Sequence, residues 1–488
     1  MLQVAIEDIE VGPGHVYEWA LTSLRTDGGE AAAGQRSITG FNQAKHFTVA
    51  QHAQSVNDPV RSYVAGTFTL PGPVDLDALE ASILDFVRRH EVLRSVYHPL
   101  AGDVSCDILR PDEVALERSC AGRLDSAEEV RRHLHATFKR VDTLAWPLIV
   151  MGVVLHEDSA TVYFSCDHLV TDGLSTVIAV NDISSAYAAR TLGRPRAAAE
   201  VGSYLAFSRD QRRQNRALDA DDERLDHWRG FIARSGSFFP RFPLELGVEP
   251  GRLYTSVNET EHLLDADETA ALESHCRTAG GRLSMGLLAA LAMAIRAEGG
   301  PEVYRGLMPV NERGRGEYAE AVGWFINTLP IEFAVGPGSS FTEVLANAEQ
   351  ALATMRAHAD VHFVKAWRLL APVEYANLRF WPHAVNFFSY LDFRRTPGAE
   401  HHGALRPRTH VWVSGCNGLL LWLHRNDDGL HLNSIYVDTP QAARTKSALV
   451  HTLTRTLRSA YQPVPLPRPR PAGPADLARR VPAASGTA

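Results

Sequence analysis

The stretch Ser165-Cys166-Asp167-His168-Leu169-Val170-Thr171-Asp172-Gly173 contains the pattern His-x-x-x-Asp-Gly, where the chain changes from strand-like to helix-like. Residues 160–166 before the motif are rich in β-branched and aromatic side chains and predict a short buried strand. Residues 174–190 after it predict a helix. A histidine at the end of a rigid strand, followed by an acid and a glycine at a turn, is suited to serve as a general base. Because so short a motif also occurs by chance, a loop histidine with only a structural role is the alternative.

A second apolar run precedes this strand. Residues 147–155 are almost continuously apolar, and His156-Glu157-Asp158-Ser159 separates them from residues 160–166 with turn-forming side chains. Two such runs around a short polar turn predict a β-hairpin. His168 then lies at the exit of the hairpin's second strand, from which its side chain can project into a cleft.

Cys166 beside His168 raises the alternative of a cysteine nucleophile. Strand alternation points both side chains the same way, but a reactive thiolate needs an electropositive setting, and Asp167 is adjacent. We therefore reject nucleophilic attack by Cys166 and assign proton transfer to His168.

The composition describes an ordinary globular protein with more than one domain. The 488 residues exceed what one hydrophobic core normally holds and predict two large domains or about three smaller ones. Hydrophobic residues make up 45% and charged residues 22%, so the chain can bury a sizeable core. The net charge of -8 argues against an extended phosphate-binding surface, and we expect no nucleic-acid partner.

The cysteines and the N-terminus predict a cytoplasmic protein. The five cysteines are scattered and show no C-x-x-C spacing, which favours reduced thiols over a disulfide framework or a zinc site. Residues 1–10 carry three acids and do not resemble a secretory signal. The most apolar stretch, residues 283–295, is too short to cross a bilayer, so we expect no transmembrane segment. His133 and His135 lack further ligands at suitable spacing, and we expect no metal.

The chain before the motif predicts a strand followed by an amphipathic helix. Residues 61–70 alternate in polarity and stop at Pro71-Gly72-Pro73. Asp75 is suited to cap the helix, whose apolar residues recur at helical spacing. His90, near its end, is either a second catalytic residue or part of a structural helix end whose cationic side chains face the C-terminal dipole. We prefer the structural role.

We place a lobe boundary near residue 205, within a charged and partly helical region. The N-terminal lobe, residues 1–205, then carries the His-x-x-x-Asp-Gly motif, and the C-terminal lobe spans residues 206–462. Residues 463–488 are rich in Pro, Arg and Ala, lack core-forming periodicity and predict a disordered tail. Strands are predicted over residues 304–310, 322–333, 384–391 and 418–423, and helices over residues 265–276, 284–296 and 442–461.

Five short segments of the chain form a recognisable series. They are, in order, Arg89-His90-Glu91-Val92-Leu93-Arg94, residues 168–173, Pro309-Val310-Asn311-Glu312-Arg313-Gly314-Arg315, residues 322–330, and Ser389-Tyr390-Leu391-Asp392-Phe393-Arg394. Together they resemble the condensation-domain superfamily, whose H-H-x-x-x-D-G motif is shared with chloramphenicol acetyltransferase and the plant BAHD acyltransferases. The last segment is similar to one in the polyketide-associated acyltransferases of mycobacterial lipid assembly. The resemblance spans about residues 46–460.

The resemblance implies an α/β fold of two lobes, each like chloramphenicol acetyltransferase, arranged as a V with a tunnel between them. It also implies that His168 is the catalytic base and that the Gly173 N–H is an oxyanion donor. From the residues alone, Asp172 could orient the histidine as in a catalytic triad. The resemblance instead implies a structural ion pair, for which we expect Arg313 as the partner and Arg315 as the second choice.

Trp324 and Asn327 are the candidate substrate contacts in the second lobe. The resemblance implies that Asn327 lines the site from the side opposite the motif. The alternative for both residues is a packed strand in which the Asn327 amide holds a loop. The sequence leaves these two interpretations open.

The predicted function is acyl transfer from a carrier-protein or coenzyme A thioester to a hydroxyl of a sugar, lipid or other specialised metabolite. A thioester is already activated, so the enzyme must align the acceptor, remove its proton and stabilise the oxyanion. The family's first histidine is Asp167 here, which favours ester formation over peptide-synthetase chemistry. An amide-forming condensation enzyme and a catalytically silent binding module are the alternatives. We expect a monomer with no bound cofactor, whose donor arrives from outside.

Overall fold

The computed structural model describes residues 1–24, 37–57, 61–195, 200–314, 316–376, 378 and 381–461, so the predicted tail lies outside the described residues. Strands and helices are interspersed along the chain, which confirms the predicted α/β class. The strands are β1 Leu2–Gln3, β2 Gly14–Ser23, β3 Ser37–Ile38, β4 Ser62–Pro71, β5 Ser95–Leu100, β6 Asp103–Ile108, β7 Val114–Leu124, β8 Ile149–Leu155, β9 Ser159–Asp167, β10 Ser256–Asp265, β11 Val303–Asn311, β12 Ile326–Ala334, β13 Phe388–Asp392, β14 Arg408–Val413, β15 Leu419–Arg425 and β16 Gly429–Val437. The helices are α1 Phe41–Ser55, α2 Leu76–Arg89, α3 Ala127–Phe138, α4 Gly173–Thr191, α5 Tyr204–Gln214, α6 Asp226–Ser235, α7 Ala266–Thr278, α8 Leu283–Ala297, α9 Phe341–Ala357, α10 Phe363–Leu370, α11 His402–Leu405 and α12 Pro440–Tyr461.

The motif lies at the end of a central strand in a seven-stranded sheet with the order β1-β14-β4-β9-β8-β2-β7. The predicted hairpin is present, since β8 and β9 pair in antiparallel fashion from Ile149 opposite Cys166 to Leu155 opposite Ala160. Along β9, Phe164 packs into one core and Tyr163 into another. A strand buried on both faces has no polar side, which explains its continuous apolar run.

The second half of the chain builds a four-stranded sheet with the order β10-β16-β15-β13 and the antiparallel pair β11-β12. The strands predicted near residues 304–310, 384–391 and 418–423 correspond to β11, β13 and β15. We did not predict β16, although all nine of its residues are buried. Its apolar run is interrupted by the buried polar residues His431, Asn433 and Ser434, which hide the strand pattern.

Helices α2 and α4 pack against each other beside the seven-stranded sheet. The predicted cap is present, because the Asp75 carboxylate accepts hydrogen bonds from the backbone N–H groups of Asp77 and Ala78. His90 is buried, and its Nε2 lies 2.8 Å from Asp182 Oδ2 on α4. It therefore has the structural role that we preferred, as the residue that ends α2 and joins this helix to α4.

The division at residue 205 does not coincide with the sheets. Strand β14, from the second half of the chain, lies between β1 and β4 in the sheet that carries the motif. The two halves of the chain therefore share one sheet.

Helix α8 is the predicted apolar helix, and it lies in the largest cluster of buried residues in the second half. No single helix in the described part of the chain has the length and apolar content needed to span a bilayer. Helices α7 and α8 have this length and apolar content only when taken together, and they meet at a bend of 98°.

Candidate active site

A cavity of about 590 Å³ lies beside the motif and is lined by both halves of the chain. Its wall is mainly apolar and aromatic, with a few polar groups. A larger groove of about 770 Å³ lies elsewhere, around Arg123 and His156, and includes none of the motif residues. The aromatic residues that line the first cavity include Trp324, Phe363, Trp367, Trp381, Phe387 and Trp422.

His168 follows directly after β9 and lines this cavity. The Asp167 carboxylate accepts a hydrogen bond from the Leu169 N–H at 2.8 Å and so turns the chain at the end of the strand. The imidazole stacks on Trp324, with 4.0 Å between ring centroids and 29° between the ring planes. Burial and the nearby His46 lower the pKa of His168 below its ordinary value of 6.5. The ring is therefore neutral at neutral pH and can accept a proton.

Asp172 forms a buried ion pair with Arg313. The two hydrogen bonds from the guanidinium to the carboxylate measure 2.7 and 2.8 Å, and both side chains are about 2% exposed or less. The carboxylate also accepts bonds from Ser175 and from the Phe325 N–H. Burial alone would raise the pKa of Asp172, but the Arg313 charge and these bonds hold it below its usual value.

The structure thus places Asp172 in an ion pair rather than a triad. Arg313, our first choice, is its partner, and our second choice, Arg315, lies outside the described residues. Asp172 also caps α4 through Ser175, so this ion pair fixes the loop that carries His168.

Gly173 is the first residue of α4 and lines the cavity. An N–H group in the first turn of a helix has no acceptor within the helix and is free to bind a ligand. A Cβ added at Gly173 would meet no heavy atom within 4 Å. The cavity therefore reaches the backbone at this residue.

The two candidate substrate contacts lie in different environments. Trp324 lines the cavity and stacks on His168, but Asn327 does not line it. The Asn327 amide donates to the carbonyl groups of Ala359 and Val361 and accepts from the Phe363 N–H. This corrects the expectation of a substrate contact by Asn327, because its amide is fully used in holding the loop before α10.

Cys166 is buried, and burial raises the pKa of its thiol, with a further contribution from Asp167. A buried neutral thiol is a poor nucleophile. Among the described residues, no group of three His, Cys, Asp or Glu side chains is placed to hold a metal ion.

A model of the condensation domain matches residues 47–390, which include the motif, Arg313 and most of the cavity wall. The chain belongs to the condensation-domain family. The 2'-acyl-2-O-sulfo-trehalose (hydroxy)phthioceranyltransferase PapA1 of Mycobacterium tuberculosis is 29% identical over 388 residues, 79% of this chain and 74% of that protein. The acyltransferase PapA3 of the same species is 26% identical over 401 residues, 81% of this chain and 82% of that protein.

The solved structure of the PapA2 acyl transferase has the same fold as this condensation-domain protein. The TM-score is 0.83 at 22% sequence identity, covering 95% of this chain and 100% of that one. The family and the acyltransferase names of the relatives confirm the predicted resemblance and the predicted class of enzyme, a condensation-type acyltransferase.

Helix α1 lines the site of this condensation-domain protein and was not predicted from the sequence. Five of its residues line the cavity at helical spacing. The sequence signal that could have indicated α1 is His46, a possible site residue. The helix mixes polar and apolar residues and shows no apolar stripe that would mark its buried face. The five residues are Asn42, Lys45, His46, Val49 and Ala50.

His46 binds the residue that stands at the position of the family's first histidine. Its Nε2 lies 3.2 Å from Asp167 Oδ1 and 3.4 Å from Thr143 Oγ1. Thr143 donates to the other oxygen of Asp167 at 2.8 Å. Burial alone would raise the pKa of Asp167, but its bonds to His46, Leu169 and Thr143 hold it below its usual value. Asp167 is therefore an ionised, fully bonded carboxylate.

Proposed function

We propose that this protein transfers an acyl group from a carrier-protein or coenzyme A thioester to a hydroxyl group of a sugar, lipid or other specialised metabolite. The observation that carries the proposal is His168, held neutral beside Trp324 in the wall of a mainly apolar cavity. A neutral imidazole can take the proton of an attacking hydroxyl. An apolar cavity can enclose an acyl chain and exclude the water that would hydrolyse the thioester.

The reaction needs only proton transfer and charge stabilisation. The hydroxyl oxygen bonds to the thioester carbonyl carbon while His168 accepts the hydroxyl proton, and the carbonyl oxygen becomes negative. The Gly173 N–H, at the start of α4, donates a hydrogen bond to this oxyanion. When the tetrahedral intermediate collapses, the carbon–sulfur bond breaks, and the imidazolium returns its proton to the departing thiolate.

The ion pair of Asp172 and Arg313 supports this mechanism indirectly. Within the described part of the chain, the hydrogen bonds of the Asp172 carboxylate are all with Arg313, Ser175 or Phe325, so the carboxylate leaves the imidazole of His168 to the substrate. We propose that the pair fixes the loop geometry that sets His168 and Gly173 around one reacting carbon. We also propose that the two lobes form a V whose tunnel includes the cavity.

The relatives favour a hydroxyl acceptor. PapA1 is named as a transferase that acts on 2'-acyl-2-O-sulfo-trehalose, and PapA2 is named as a trehalose-2-sulfate acyltransferase. Both acceptors are sugars with several hydroxyl groups. The aromatic wall of the cavity is compatible with a lipid chain on the donor or on the acceptor.

The test is intact mass spectrometry of palmitoyl-CoA and of palmitoylated acyl carrier proteins, each incubated with the protein and a panel of alcohols, sugars and amines. We expect ester products and loss of the acyl group from the thioester. The His168→Ala variant should reduce the rate by about 10²- to 10⁴-fold with an unchanged circular dichroism spectrum. Transfer only to amines, or an unchanged rate in His168→Ala, would contradict the proposal.

A further inference from the structure

Two imidazoles, not one, line the same part of the cavity. The ring centroids of His46 and His168 lie 6.3 Å apart, and His46 also contacts Trp324 edge to face at 5.6 Å. Both histidines belong to the cavity wall. The mechanism proposed above uses only His168 and gives His46 no contact with the substrate.

The contacts of His46 determine which of its nitrogen atoms can meet a ligand. An ionised carboxylate only accepts hydrogen bonds, so the His46 Nε2 that faces Asp167 must carry a hydrogen. Asp167 is 1% exposed and is held by Thr143 and by the Leu169 N–H, so this contact is rigid. No described residue bonds to His46 Nδ1. In the neutral ring, Nδ1 is a hydrogen-bond acceptor.

We propose that His46 binds a second hydroxyl group of the acceptor: Nδ1 accepts its hydrogen bond while His168 deprotonates the hydroxyl that reacts. The inference rests on the proposed function and narrows the acceptor to a polyol, such as a sugar or a glycol with neighbouring hydroxyl groups. Asp167 is a positioning residue, because it acts only through His46.

The separation of the two rings supports this class of acceptor. Hydrogen bonds to an imidazole nitrogen are about 2.8 Å long, so two neighbouring oxygens can each bond to one of two rings whose centroids lie 6.3 Å apart. Hydroxyl groups on adjacent carbons provide such a pair, whereas an acceptor with one hydroxyl group has only one proton and can donate to only one of the two imidazoles. The chain thus couples Asp167, at the position of the family's first histidine, to His46 on α1.

The experiment compares acceptors that differ by one hydroxyl group. The pairs are 1,2-dodecanediol with 1-dodecanol, and methyl α-glucoside with its 2-deoxy analogue, with palmitoyl-CoA or a palmitoyl carrier protein as donor. We expect the wild-type kcat/KM to be about tenfold higher for the polyol of a pair, the worth of one hydrogen bond. His46→Gln keeps a donor towards Asp167 but removes the Nδ1 acceptor. It should abolish the preference by lowering kcat/KM about tenfold more for the polyol than for the other acceptor.

Three further variants make the outcome decisive. Asp167→Asn should weaken the same preference, and His46→Leu removes the Nδ1 acceptor in a second way. His52→Ala, at an exposed position on the same helix, is the control and should change kcat/KM for neither member of a pair. A wild-type enzyme without preference, or a His46→Gln variant that slows both members of a pair equally, overturns the inference. Acyl transfer to hydroxyl groups that survives His168→Ala, or no acyl transfer to any hydroxyl group, overturns the proposed function itself.

Discussion

The substitution Arg313→Met removes one half of the buried ion pair that fixes the motif. The variant keeps the volume of the side chain but strands the Asp172 carboxylate, which is about 2% exposed. It deletes two charge-assisted bonds to Asp172 and further bonds to Ser175 and to the carbonyl groups of Ala321 and Gly323. Breaking a buried pair in this way costs about 3–5 kcal/mol in the free energy of unfolding.

The loss should depend on pH in a defined direction. In the wild type, Arg313 depresses the pKa of Asp172, so this carboxylate stabilises the fold above its unfolded pKa of about 3.9. That contribution disappears as the pH falls through the depressed value. In the variant, burial remains without the cation and raises the pKa of Asp172. The carboxylate is then protonated as the pH falls from 7 towards 4, and the difference between variant and wild type shrinks.

Urea denaturation followed by tryptophan fluorescence at pH 7 and pH 4.5 measures both effects. The control is Arg118→Met, which breaks an ion pair with a similar bond of 2.8 Å to Asp77, a side chain that is 86% exposed. The free energy of unfolding of this control should fall by about 1 kcal/mol or less. The double variant Arg313→Met/Asp172→Asn removes the stranded charge and should be more stable than Arg313→Met at pH 7. A loss as small as that of the control, or one that is equal at both pH values, would refute the reasoning.

Three further predictions concern the site. The pH profile of kcat/KM should rise with pH through a midpoint below 6.5, because burial and His46 lower the pKa of His168, an effect that Asp167 and Asp172 only partly oppose. In the His46→Gln variant this midpoint should move up. An unmoved midpoint would show that His46 has no influence on the base. Gly173→Ala should leave the melting temperature within about 2 °C of the wild type, because the added methyl group would meet no heavy atom within 4 Å. The same methyl group enters the cavity and should reduce kcat. Full activity of the variant would exclude close substrate approach at this residue. Asn327→Ala should lower the free energy of unfolding, measured in urea, by about 1–3 kcal/mol, because it leaves buried backbone groups of the loop at residues 359–363 unpaired. A raised KM with unchanged stability would instead show that Asn327 contacts the substrate.

The motif and its strand could be predicted from the sequence because local pattern determines them. An apolar run, a polar turn and a second apolar run give the hairpin of β8 and β9, and the order of five short segments gives the family. The partnership of Asp172 and Arg313 joins residues 141 positions apart and came only from the resemblance. Periodicity alone left Asp172 equally open to an orienting role.

The contacts that the sequence did not predict are long-range and polar. His46 lies 121 positions from Asp167, and nothing near either residue indicates the other. Asn327 stands in a strand-like segment beside the site, yet its amide is satisfied by the loop before α10, which only the packed structure shows. Strand β16 was missed because buried histidine and asparagine side chains bond to one another and to neighbouring strands in place of apolar packing.

The placement of β14 sets the order in which the protein can be completed during synthesis. Strand β4 pairs on one edge with β9, the strand that ends at the motif, and on its other edge with β14. Strands β4 and β14 are far apart in sequence: Thr409 Oγ1 on β14 donates to the carbonyl of Ala65 on β4, 344 positions earlier. A ribosome that adds about 5–20 residues per second needs roughly 20–70 s to cover this distance. Throughout that time β4 exposes an unpaired edge, the kind of surface on which nascent chains aggregate or recruit chaperones. Residues 1–205 expressed alone would lack β14, so we expect the half that carries the motif to aggregate through this edge unless the other half is present.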